Sequence, residues 1–292
     1  MLRMDLMSEL GMLGGAAERA ELVRVCGRAE VDRALRGGKL IRLSRGRYAM
    51  ASAGDAARIA GTVQGVVSHR NAAVLHGWKV KRLPSRPDVT VRRGRKLSRE
   101  QRALVTPHWA DLDPQLVRAG RTIKAKTLVD CLRTLPFDEA LAIADSALRE
   151  KDFTPAGVSA LAGTIKGRGA GTAARVAREA TGKAANPFES VTRAIALEVP
   201  GLHVQAQFPV KVNSSLTLHP DLADPALKIA IEAEGFEWHG DTAQLFRDCE
   251  RYNHLTLLGW AIIRFGWLHV MEQPAHVRRV ITQLVAKRPL VA

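Results

Sequence analysis

The residue types most able to do chemistry lie in the last third of the chain. Asp221 follows Pro220 near the end of the run LTLHPDLAD (216–224), and Glu232 and Glu234 stand two apart in the next run, LKIAIEAEG (227–235). A strand alternates faces, so Ile229, Ile231 and Ala233 share one face and the two glutamates share the other. Two acids on one face of an apolar strand are costly to bury unpaired, so they call for a partner or for solvent at a sheet edge. His239 follows Trp238 just beyond Gly235. Brought together, such carboxylates and an imidazole are the donor types that hold a hard cation or move a proton. Plainer roles stay open beside this one. Asp221 suits a turn and His239 a turn cap. Glu189 stands three after Asn186, a capping-box position, and four before Arg193, an i,i+4 pair.

The elements around these residues read as α-β-β-β-α-β-α. A helix starts at NPFESVTRAIALEV, with Asn186 as N-cap and Pro187 in the first position. Hydrophobic runs at 202–212, 216–224 and 227–235 read as strands, followed by a long helix over 241–259, a strand WAIIRF at 260–265 and a closing helix at 273–287. Asp221 reaches Glu232 only if the second and third runs pair.

This order, with "NPFES", "PDLADPALKIAIEAEGFEWHG", "RDCERYNHLTLLGW" and "IIRFGW" in sequence, resembles the PD-(D/E)XK nuclease layout over about 186–285. The similarity is greatest to the very-short-patch-repair (Vsr) mismatch endonucleases and related bacterial domains. It implies a catalytic set of Glu189, Asp221, Glu232, Glu234 and His239, with Mg²⁺ (or Mn²⁺) as cofactor. Asp221 and Glu232 on neighbouring strands would share one ion, and Glu234 would take the same ion or a second. His239 would act as general base or orient a water or phosphate, with Asp248 and Arg251 supporting the site. The residue types suit phosphodiester hydrolysis, because a hard dication with few carboxylates and water both stabilises phosphoryl charge and supplies hydroxide. One position departs from the pattern: the lysine of the triplet is Glu234 here. Vsr-related domains also tend to carry an acid there.

The charge sits elsewhere. Of a formal +15, residues 1–100 carry +12, residues 101–183 carry +4 and residues 184–292 carry −1. A field so concentrated suits a polyanion such as double-stranded DNA. Helical spacing appears at 3–13, 17–25 and 28–36, the last with Arg28, Arg33 and Arg36 outward, and Gly37-Gly38 end it. KLIRLSRGRYAM (39–50) reads as a hairpin carrying Arg42, with Arg45 and Arg47 at its tip. Three short helices and a basic hairpin read as a winged helix-turn-helix, with helix 28–36 in the major groove and the tip on phosphates or the minor groove. A winged helix used only for protein contacts is the alternative. The run GGAAERAELVRVCGRAEVDRALRGGKLIRLSRGRYAM, with SHRNAAVLHG at 68–77 and a strand PDVTVRR at 87–93, resembles the N-terminal domain of AbiEi-type antitoxins over residues 1–95. That resemblance implies DNA binding, often at the promoter of the protein's own operon, and a cognate toxin or operon partner.

Residues 96–183 read as a mainly helical connecting region, with Thr154 and Pro155 opening one of its helices. The phrase GRGAG at 167–171 lacks both a preceding strand and a GK[ST] ending, so it does not read as a nucleotide phosphate loop. The 292 residues, 46% hydrophobic, exclude wholesale disorder. No run approaches the roughly 20 apolar residues of a membrane span, and Asp5 and Glu9 interrupt any leader-like start. Cys26, Cys131 and Cys249 lie far apart, which excludes a zinc finger or disulfide scaffold and suits a reducing cytoplasm. The fold expected is α+β multidomain: winged helix at 1–95, helical region at 96–183, restriction-endonuclease-like domain at 184–292. Two functions fit it, a Mg²⁺-dependent DNA endonuclease in phage defence or repair, and a non-enzymatic antitoxin-like autorepressor with an inactive nuclease fold.

Overall fold

A computed structural model gives the fold and describes residues 6–13, 15–44, 46–234 and 242–288. The chain divides into two compact units, Met1–Gly182 and Lys183–Ala292, each mixing helices with sheet. Among the described residues no helix is long and apolar enough to cross a membrane.

The first unit opens with α1 (Leu6–Met12), β1 (Ala16–Glu18), α2 (Arg19–Cys26), α3 (Arg28–Arg36), β2 (Leu40–Ser44) and β3 (Arg47–Met50). In α3 the apolar spacing buries Val31 and Ala34 and leaves Arg28, Arg33 and Arg36 exposed. Gly38, at φ +67°, makes the left-handed bend after the helix that a side chain would disfavour. β2 and β3 pair antiparallel, with Leu40 opposite Met50 and Ile41 opposite Ala49. Residues 16–18 are not the start of a helix over 17–25; they form a third strand on β3, Ala16 opposite Ala49. A three-residue strand is too short for alternation to announce it. Leu6, Leu10, Leu22, Val31 and Leu40 form the core beneath.

Next come α4 (Ala51–Thr62), β4 (Val66–Val67), α5 (His69–Leu75), β5 (Asp88–Val91), α6 (Arg99–Leu104), β6 (Thr106–Trp109), β7 (Val117–Arg118) and β8 (Arg121–Thr122). Their strands form one sheet in the order β6-β5-β4-β8-β7, cored by Val67, Val89, Val91 and Val105 against Ala56, Ala60 and Ala72. This sheet draws on residues 66–122 and therefore runs through position 95. The helices α7 (Lys124–Thr134), α8 (Phe137–Arg149), α9 (Pro155–Gly163) and α10 (Ala170–Glu179) complete the unit. Thr154 caps α9 by accepting from the Gly157 N–H at 3.1 Å, with Pro155 in the first position. α10 packs against α7, α8 and α9.

The second unit runs α11 (Pro187–Ala196), β9 (Gln205–Ala206), β10 (Val210–Lys211), β11 (Thr217–Leu218), β12 (Leu222–Asp224), β13 (Ile229–Glu234), α12 (Thr242–Leu257), β14 (Ala261–Gly266), α13 (Trp267–Glu272) and α14 (Pro274–Val285). The long hydrophobic runs are cut into short strands. Pro209 and Pro220, which cannot donate to a ladder, fall in the two breaks. β10 and β11 pair apart from the main sheet, whose order is β14-β13-β12-β9. β13 is thus an interior strand, antiparallel to β12 and parallel to β14. Its Ile229 and Ile231 pack with residues of α11, α13 and α14, and Ala230 packs on the other side with Leu255 of α12. Strand alternation therefore aims Glu232 to the α12 side.

Candidate functional site

The register of β12 on β13 brings two of the acids together. Leu222 is opposite Ile231, which sets Asp221 across from Glu232. The Ala233 N–H donates to Asp221 Oδ2 at 2.9 Å, and Gln207 Nε2 donates to Asp221 Oδ1 at 3.3 Å. The Asp221 N–H points at Glu232 Oε2, 3.4 Å away. From α12, Arg251 Nη2 donates to Glu232 Oε1 at 2.6 Å and to the His219 carbonyl at 3.2 Å.

Burial makes this pair electrically tense. The Glu232 side chain is only 3% exposed, and on an interior strand it has no sheet-edge solvent. Burial and the neighbouring Asp221 charge push Glu232 up to about 8, against the pull of Arg251. Burial also raises Asp221, opposed by the Ala233 N–H and by Arg251. One guanidinium therefore faces two carboxylates, and the pair holds protons that exposed acids would have released.

Glu234 shares the strand face but has different partners. Its Oε1 accepts from the Tyr252 hydroxyl and lies 3.5 Å from Arg264 Nη1. Arg264 also stacks over the Tyr252 ring, 4.7 Å from its centroid. Burial and the bond to Glu234 push the Tyr252 hydroxyl up. Among the described residues no three His, Cys, Asp or Glu converge to hold a metal ion, so Asp221 and Glu232 form a group of two. Glu189 lies at the start of α11, where it accepts from the Ala185 N–H at 2.8 Å and Asn186 Nδ2 at 3.0 Å. Its own N–H donates to Asn186 Oδ1 at 3.0 Å, which is the capping arrangement. His239 falls outside the described residues. Asp248, on the face of α12 that carries Arg251, acts on Arg264 through its charge.

Sequence reasoning missed Gln207, Tyr252 and Arg264. Asp248, Arg251, Tyr252 and Leu255 fall at i, i+3, i+4 and i+7, so the period that buries Leu255 could have flagged Tyr252. Arg264 sits opposite Glu232 in the β14–β13 register, which no sequence pattern displays. Gln207 adopts φ +52°, a left-handed backbone rare for a side-chain-bearing residue, and nothing local announces it.

In the first unit Arg28 and Arg36 are exposed on the outer face of α3, and Arg33 beside them pairs with Glu30. Arg42 is exposed on β2, and Arg45 falls outside the described residues. Arg47 differs from its expected place at a DNA-facing tip. It makes a bidentate pair with Glu150 of α8, Nη2 to Oε1 at 2.6 Å, and its side chain is 17% exposed. A Cβ added at Gly77 would meet Arg47 Cδ at 3.0 Å, so the arginine is also packed tightly. A half-buried carboxylate 103 positions away holds the guanidinium, and a hairpin pattern carries no sign of it.

No family model matches this chain. Over 158 residues, 53% of its length, the chain is 30% identical to an uncharacterized protein of Mycobacterium tuberculosis, represented in two strains. It spans 58% of the length of those relatives.

Proposed function

We propose that this chain binds double-stranded DNA through its first unit and hydrolyses phosphodiester bonds with a divalent-metal site in its second. The observation that carries the reading is the convergence of Asp221, just before β12, with Glu232 on the interior strand β13, where Glu232 is held up at about 8. A buried acid pair of this kind costs stability, and such cost collects at functional sites.

The order α1-β1-α2-α3-β2-β3 supports a winged helix. Exposed Arg28 and Arg36 on α3 would then meet phosphates or base edges in a major groove. In the second unit, the mixed sheet with α11 on one side and α12 on the other supports a PD-(D/E)XK-like, Vsr-like fold. Asp221 and Glu232 fit a dication, because a cation bound between the two carboxylates would displace the proton that burial and Asp221 hold on Glu232 and relieve their mutual repulsion. Mg²⁺ or Mn²⁺ bound there would supply an activated water and neutralise phosphoryl oxygens. The chain's own groups do the positioning. Gln207 and the Ala233 N–H orient Asp221, and Arg251 orients Glu232. Arg251 and Arg264 supply the positive charge that the triplet's missing lysine would have given, with Tyr252 holding Glu234 between them.

A second reading has its own support. Arg251 on Glu232 and Tyr252 on Glu234 occupy carboxylate oxygens that a metal would use, as in a fold that binds DNA without cutting it. The chain would then be an autorepressor working with a cognate toxin or operon partner. One experiment separates the two: purified protein on supercoiled, linear and mismatched duplex DNA with Mg²⁺, Mn²⁺ or EDTA. Metal-dependent cutting supports the nuclease. Binding without cutting supports the repressor.

A further inference from the structure

The first unit holds an open surface cavity of about 340 Å³ lined by Arg133, Thr134, Lys166 and Arg168, all four of them exposed. Among the described residues that line it, three of four are cations and none is an acid. Arg133 and Thr134 end α7, and Lys166 and Arg168 belong to the KGRGAG segment that leads into α10.

The two segments are locked together by backbone. Gly169 lies at φ +86°, and a Cβ there would stand 2.1 Å from the Arg133 carbonyl oxygen. Only glycine allows this approach, so the loop carrying Lys166 and Arg168 is pinned beside Arg133. Arg175, one turn into α10, lies over the Phe137 ring at 3.7 Å and fixes that helix on the start of α8.

The positive charge around this concavity is offset only in part, with Arg133 acting on Asp130 through its charge. Among the described residues none of the three cations makes an ion pair. The acid closest along α7, Asp130, is paired with Lys126. The Thr134 hydroxyl donates to the Asp130 carbonyl at 2.7 Å. Like charges held around one concavity repel one another, and an anion between them relieves that repulsion. The volume is in the range of small-ligand pockets, about 300–1,000 Å³, which is room for a phosphate with an organic substituent attached.

We infer that this cavity binds a phosphate ester, held by Arg133, Lys166 and Arg168. It is not a nucleotide phosphate loop, because helix α9 rather than a strand precedes it and side chains line it. The phosphate could belong to a free nucleotide or to a DNA backbone, and the test tells these apart. It does not depend on cleavage, so it stands or falls apart from the nuclease reading.

The test uses the full chain, the variant Arg133→Ala with Lys166→Ala and Arg168→Ala, and a control, Arg118→Ala, an exposed arginine elsewhere in the unit. Lys166→Ala and Arg168→Ala are also made singly, in case the triple variant folds poorly. Calorimetric titration with AMP and with inorganic phosphate, and duplex binding across a salt series, are the readouts. A free phosphate ester as ligand gives AMP binding that falls at least about tenfold in the triple variant and less in each single one. A DNA phosphate as ligand gives no AMP binding, but the log–log salt slope for DNA falls by about 0.9 for each phosphate no longer neutralised. The control changes neither. If AMP, phosphate and DNA binding are all the same in wild type and variants, the inference is overturned.

Discussion

Arg251 on α12 reaches across to Glu232 on β13 with a 2.6 Å hydrogen bond, the main charge set against a carboxylate that Asp221 and burial both push toward protonation. Removing Arg251 takes away that charge and leaves the acid with its desolvation and its neighbour. Arg251→Ala is therefore expected to destabilise the second unit by about 1–3 kcal/mol, less than a broken ion pair in full, because Glu232 can take up a proton instead. Urea unfolding followed by Trp fluorescence measures this. An unchanged midpoint would mean that the bond does not brace the site.

Arg47 and Glu150 make the second long-range pair, and it changes which arginines should matter for DNA. Arg47→Ala is expected to lower the stability of the first unit by about 3 kcal/mol, since it strands a largely buried Glu150. The salt dependence of DNA binding should stay as it was. Arg28→Ala and Arg36→Ala should do the reverse, leaving stability within about 0.5 kcal/mol and reducing the salt slope by about 0.9 for each phosphate they neutralise. A flattened slope in Arg47→Ala would return that residue to the DNA interface.

The histidines His69 and His76 make the first unit sensitive to acid. Burial holds His69 down at about 3 and His76 at about 4, from an ordinary 6.5. Below 6.5 the unfolded chain takes up protons that these folded residues refuse. Their contribution is complete above 6.5 and declines as pH falls, until about 4 for His76 and about 3 for His69. In that window each lowers stability by up to about 1.4 kcal/mol per pH unit. Denaturant midpoints at pH 7 and pH 5 should therefore separate. In the double variant His69→Gln, His76→Gln the separation should shrink, and an equal separation would contradict the assignment.

Elements with strong local signals were legible in the sequence. Gly37-Gly38 and the spacing of Val31 and Ala34 gave α3 as the structure has it. Asn186 with Pro187, and Thr154 with Pro155, marked helix starts that the structure keeps. The pairing that brings Asp221 to Glu232 is only a condition in the sequence, and the register of β12 on β13 meets it. What stayed hidden is set by distance along the chain or by special backbone. The Arg47–Glu150 pair spans 103 positions, β1 has three residues, and Gln207 takes a positive φ. Pro209 and Pro220 were visible as residues, yet the runs around them read as continuous strands because apolar content outweighed the breaks. Glu189 could be read as cap or as ligand, and its hydrogen bonds to Ala185 and Asn186 give it the capping geometry.

The most direct test of metal-dependent cleavage compares the full chain with Glu232→Ala on duplex DNA, scoring cleavage and binding in Mg²⁺, Mn²⁺ and EDTA. Wild type is expected to cut with either metal and not in EDTA. Glu232→Ala is expected to bind DNA with unchanged affinity and to cut at least about 10²-fold more slowly, because the lost carboxylate stabilised charge mainly in the transition state. A wild-type chain that neither binds a divalent cation nor cuts any duplex, or a Glu232→Ala variant that cuts at the wild-type rate, would contradict the nuclease reading.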